Sequence, residues 1–162
     1  MKTGALPRGL SVWHPATILS TWWWSGLLPG APGTWGSAAT LPFAWLIASQ
    51  LGSSYLIVAA GLAFVGGLWA SSIFLSYGDE KDPGTIVIDE TAGQFLTLVF
   101  VPLDLWWYAA AFILFRLADI FKPWPASLAD KRSGPFPLMI DDIVAAVYAI
   151  VALYSIQRIL GG

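Results

Sequence analysis

The chain has 162 residues, 57% of them hydrophobic and 11% charged, with ten acidic and eight basic side chains, one histidine and no cysteine. A soluble domain carries roughly 25% charged residues, so this chain lacks the polar surface that water demands and reads as one integral membrane domain of four or five apolar helices. The missing cysteines remove disulfides and thiolate sites, the single histidine removes any two-histidine mechanism, and a pI near 5.1 without a basic stripe removes nucleic acid as a partner.

Residues 1–13 carry Lys2 and Arg8 and are expected to be flexible; Pro15 and the Trp22, Trp23, Trp24 run interrupt any removable signal peptide. Between Arg8 and Asp79 no side chain is charged unless His14 is protonated. The tryptophan run suits a membrane interface. Ser25 to Ser37, rich in Gly and Pro, has the composition of a loop. Apolar helices are expected over Ser37 to Leu51, with Pro42 in the first turns, and over Ser53 to Tyr77, long enough to span a bilayer with tilt. In the second, Ala59, Ala63, Gly67 and Ser71 recur every four residues, a seam that lets another helix approach closely.

A polar hairpin from Tyr77 to Thr85 precedes a helix from Ile86 to Val101, which breaks at Pro102 and Asp104. The next helix, Trp106 to Phe121, stops at Lys122-Pro123-Trp124-Pro125, because proline disfavours helical geometry in the residue before it. The loop from Lys122 to Arg132 is placed in the cytoplasm by its positive charge. A last apolar helix runs from Asp141 to Leu160.

Chemistry concentrates at two similar places: Ile88-Asp89-Glu90 opens one apolar helix and Ile140-Asp141-Asp142 opens another. Helix capping gains about 0.3 to 1 kcal/mol and needs only one acid. Adjacent carboxylates at two apolar helix starts repel each other near a bilayer and require cations. Arg116, Asp119 and Lys122 recur at three-residue spacing and share one helix face. Oxygen ligands without cysteine point to a hard cation, and Mg²⁺ is commonly held by carboxylates together with substrate phosphate. Arg116 and Lys122 are suited to the phosphate. The stretch Gly30 to Ser37 offers backbone N–H groups and the hydroxyls of Thr34 and Ser37 to an anion, although no Walker pattern is present.

The motifs of several lipid-phosphate enzymes are absent: two histidines, the Asp-x-Asp nucleophile, and the CDP-alcohol phosphotransferase core. Attack by water with a metal, or by a carboxylate, remains. Four segments in order resemble the phosphatidylglycerophosphatase A family of bacterial membranes: PGAPGTWGS from Pro29 to Ser37, DPGTIVIDE from Asp82 to Glu90 with Gly93, FRLADIFKPWP from Phe115 to Pro125, and MIDDIVA from Met139 to Ala145. The resemblance covers nearly the whole chain. It implies Mg²⁺-dependent hydrolysis of phosphatidylglycerophosphate to phosphatidylglycerol and inorganic phosphate.

It also implies an all-α, compact integral membrane bundle in the bacterial inner membrane, with an acidic site at the helix ends facing the cytoplasm. Carried onto this chain, Asp89, Glu90, Asp119, Asp141 and Asp142 are the catalytic and metal-binding acids, and Thr34, Arg116 and Lys122 bind the substrate phosphate. His14 matches a family histidine and is read here as holding a helix end. The chain departs from the family at Ser133 to Leu138, where Pro135 and Pro137 stiffen a stretch that is usually glycine-rich, and at Trp22 to Gly26. Two other classes compete. A transporter or channel subunit would use the acids to bind an ion but leaves Arg116 and Lys122 without a role, and a scaffold for lipid-synthesis enzymes leaves the clustering of acids without a reason.

Overall fold

Proline starts three of the helices, where its missing N–H costs nothing and its fixed φ suits the first turn. The computed structural model describes residues 6–78, 83–122 and 134–161, and all regular structure among them is helical. In order these are α1 (Pro15–Ser20), a 3₁₀ turn (Ser25–Leu27), α2 (Pro32–Leu51), α3 (Tyr55–Ser76), α4 (Ile88–Leu98), α5 (Leu105–Phe121) and α6 (Pro135–Ile159). The all-helical expectation holds. Most of the loop expected from Lys122 to Arg132, and the centre of the Tyr77 to Thr85 hairpin, lie outside the described residues.

Two helices begin earlier than the composition suggested. Pro32 starts α2, so Gly33, Gly36 and Ser37 belong to its first turns rather than to a loop, and Pro42 falls in mid-helix. Pro135 starts α6, with Pro137 also in its first turn, and Asp141 and Asp142 therefore lie well inside the helix instead of opening it. Residues 6–13 form turns that place Leu10 in the core.

The short α4 is the hub. It packs against α2, α3, α5 and α6, and most of its residues are buried. Apolar transfer drives helices together only weakly when the alternative solvent is hydrocarbon, so close packing has to do it. Small residues permit that closeness. On the seam of α3, Ala63, Gly67 and Ser71 are buried, and a Cβ at Gly67 would come within 2.7 Å of Met139 on α6 and 3.1 Å of Ile88 on α4. The opposite face of α3 exposes Ile57, Val58, Leu62, Val65 and Trp69, a surface suited to hydrocarbon rather than to water. α3 and α6 are both long and apolar enough to cross a membrane.

The tryptophan run does not simply face outward. Trp22, Trp23 and Trp24 all adopt left-handed backbone, with φ of 43°, 56° and 65°, at roughly 1–2 kcal/mol each for residues with a Cβ. Hydrogen bonds hold the turn: Trp23 N donates to Ile18 O at 2.9 Å, Trp24 N to Thr21 Oγ1 at 3.1 Å, and the Trp24 indole to Val12 O at 3.0 Å. The turn sends Trp22 edge-on against Phe43 and Phe95, while Trp23 stays exposed. At its start, Ser20 O accepts from Val87 N at 2.8 Å, which fixes the residue just ahead of α4.

Candidate active site

Asp89 and Glu90 occupy the first turn of α4, where the positive end of the helix dipole favours carboxylates. Asp89 Oδ1 accepts from Glu90 N at 3.1 Å. Asp142 approaches from α6, and the approach depends on Gly93. A Cβ there would lie 2.6 Å from the Phe115 ring and 2.8 Å from Asp142 O, so any larger residue would push the two helices apart. Carboxylate oxygens of Asp89, Glu90 and Asp142 consequently gather within 4.8 Å of one another.

Three carboxylates so close are unstable without a proton or a cation between them. Burial pushes the Asp89 carboxyl well above its usual range, and the neighbouring Glu90 charge pushes it further. Burial raises Glu90 as well, partly countered by contact with Asp89 and by Arg116. The oxygen-only donor set, the clustering and the penalty on charge together fit a hard divalent cation such as Mg²⁺.

The cationic side comes from α5. Arg116 Nη1 lies 2.7 Å from Asp119 Oδ2 and 3.5 Å from Glu90 Oε1, and it donates to Ser37 Oγ on α2 at 3.5 Å. Asp119 also contacts the Asp142 carboxyl. At the end of the same helix, Lys122 takes left-handed backbone, φ 42°, and its ammonium pairs with Asp141. The adjacent acids Asp141 and Asp142 thus serve different partners, as residues about 100° apart on a helix must.

The first turn of α2 closes the site. A Cβ on Gly33 would collide with Glu90 Oε1 and come within 2.9 Å of Arg116 Nη2, so only glycine lets this backbone lie against the acid and the guanidinium. No side chain caps α2, leaving its first N–H groups available to an anion. Thr34 follows Gly33, half-buried in the same turn.

The structure therefore brings Asp89, Glu90, Asp119, Asp142 and Arg116 into one group, sets Asp141 and Lys122 beside it as a pair, and places Thr34 next to Gly33. His14 caps α1, its Nδ1 accepting from Ala16 N at 3.1 Å. Sequence reasoning missed Gly33 and Gly93 as spacers and passed over Gln94; an amide inside an apolar helix, four residues after Glu90, was the available signal.

A family model described as Phosphatidylglycerophosphatase A matches residues 18–157. The chain is 37% identical over 152 residues to Phosphatidylglycerophosphatase A of Haemophilus influenzae, covering 93% of each chain. It is 38% identical over 152 residues to the Escherichia coli protein of the same name, covering 89% of this chain and 83% of that one. A Bacteroides thetaiotaomicron protein provisionally named a phosphatidylinositol-3-phosphatase is 32% identical over 157 residues, covering 89% and 94%. No solved structure matches the chain.

Proposed function

This chain belongs to the phosphatidylglycerophosphatase A family, a family of phosphoric monoester hydrolases, and from that premise we propose that it cleaves phosphatidylglycerophosphate to phosphatidylglycerol and inorganic phosphate, with Mg²⁺ held by Asp89, Glu90 and Asp142. One observation carries the reading: a trio of carboxylates, two buried and one half-buried, lies against a guanidinium and an uncapped helix N-terminus. A cation site alone would suit ion passage equally well. Arg116 and the first turn of α2 add anion donors on the same side, which a phosphate monoester requires and a cation pathway does not.

Bound at the trio, Mg²⁺ would draw charge from the phosphoryl oxygens and ease deprotonation of the attacking water. The chain's own residues do the rest. Arg116, paired with Asp119, donates to phosphoryl oxygens, and the N–H groups of Gly33 and Thr34 donate to the same group. A carboxylate oxygen left over from cation binding takes the proton of the water. Phosphoryl transfer passes through a loose transition state, so positioning and electrostatics supply most of the rate. Lys122, paired with Asp141 at the rim, adds positive charge where the phosphate enters.

The apolar outer faces of α3 and α6 support placement in the bacterial inner membrane, and Lys122, paired with Asp141 beside the acids, supports a cytoplasmic orientation of the site. The test is product identification. Purified protein in detergent, given phosphatidylglycerophosphate, is expected to release phosphate and to leave phosphatidylglycerol by mass. Folded protein that releases no phosphate from this lipid overturns the assignment.

A further inference from the structure

Gln94 is fully buried in α4, and neither its amide oxygen nor its amide nitrogen has a hydrogen-bond partner. Buried amides are nearly always paired, because leaving them unpaired forfeits their hydration. Gln94 lies one turn beyond Glu90 on the same face of α4, a spacing that sets the two Cβ atoms roughly 5–6 Å apart. Glu90 has the complementary defect: Oε1 faces Arg116, while Oε2 is buried with no partner. An orphan donor and an orphan acceptor that belongs to the acidic trio are thus one helical turn apart.

We propose that Gln94 is a positioning residue for Glu90. Its Nε2 donates to Glu90 Oε2 when a divalent cation is held at the trio, fixing the plane of the carboxylate and turning its other oxygen toward the ion. Side-chain rotation alone can form this bond, since i and i+4 residues meet on a helix surface. The inference rests on the cation site described above. Groups that orient a metal ligand typically change metal affinity by about 10–100-fold when removed.

The test uses the full chain in detergent with Mg²⁺ alone, measured by calorimetric titration and by thermal unfolding without metal. Gln94→Leu is expected to weaken Mg²⁺ binding by about 10–100-fold, while the metal-free protein unfolds at the same temperature or higher, because an unpaired amide has been replaced by an apolar group. Gln94→Met, isosteric and flexible, is the second variant and should behave alike. In a Glu90→Gln background, Gln94→Leu should produce no further loss of Mg²⁺ affinity. Mg²⁺ affinity within twofold of wild type in both variants, or a metal-free protein that is clearly less stable, would overturn the positioning role. Wild-type protein that binds no Mg²⁺ would overturn the cation site itself, and with it this inference.

Discussion

Replacing Gly33 by alanine puts a methyl group where Glu90 Oε1 now lies and within 2.9 Å of both Arg116 Nη2 and Glu90 Cδ. Ordinary contact between heavy atoms needs about 3.5–4.0 Å, so the Glu90 carboxylate must retreat by well over about 1 Å and Arg116 by roughly 1 Å. Both are ends of flexible side chains, and α2 itself gains up to about 1 kcal/mol of helix propensity from the exchange. Stability should therefore stay within about 1 kcal/mol of wild type. Catalysis should not. A misplacement of about 1 Å costs about 10²-fold in rate, equivalent to about 2.7 kcal/mol of transition-state stabilisation. Phosphate release from detergent-dispersed phosphatidylglycerophosphate measures the first effect, and thermal unfolding in the same detergent measures the second. If Gly33→Ala keeps kcat/KM within threefold of wild type, the close approach of α2 to the acid and the guanidinium has no catalytic purpose. A matched loss of stability and activity would refute the claim that the displacement is local.

Arg116→Lys keeps the charge but loses the planar fork, whose Nη1 meets Asp119, Glu90 and Ser37 while Nη2 lies beside Gly33 at the start of α2; kcat/KM should fall by about 10²–10³-fold, the scale for removing one donor to a transition-state oxygen, and steady-state kinetics at saturating Mg²⁺ would show it. Gly67→Leu forces side-chain atoms into Met139 and Ile88; overpacking of this kind typically costs about 1–3 kcal/mol, read as a lower unfolding temperature. Since Ile88 and Met139 sit beside the helices' acids, activity at a temperature where the variant remains folded should fall too.

Helix centres were legible in the sequence because long apolar runs bounded by polar turns have few other readings, and α3 and α5 fall within two residues of the expected limits. The starts of α2 and α6 were not. Pro32 and Pro135 head their helices, and Gly33 and Gly36 are there for close approach to Glu90 and Val87 rather than for chain reversal. Composition reports both uses of glycine identically. The acids of the site were legible as a cluster, since charges in an apolar chain stand out. How they divide was not: Asp142 joins Asp89 and Glu90 while Asp141 turns to Lys122, and only the rotation of α6 about its axis decides that. The left-handed Trp22 to Trp24 turn depends on tertiary contacts with no local signature, whereas the buried amide of Gln94 stood out as a polar residue in an apolar helix.

The central claim is that a cation held by Asp89, Glu90 and Asp142 works with Arg116 on a lipid phosphate monoester. Phosphate release from phosphatidylglycerophosphate, followed across a Mg²⁺ titration for wild type and Asp142→Asn, tests it most directly. The account predicts release that rises with Mg²⁺, stops in chelator, and is abolished in Asp142→Asn protein that unfolds at a temperature no lower than wild type. Release that is indifferent to chelator, or that persists undiminished in Asp142→Asn, would contradict it.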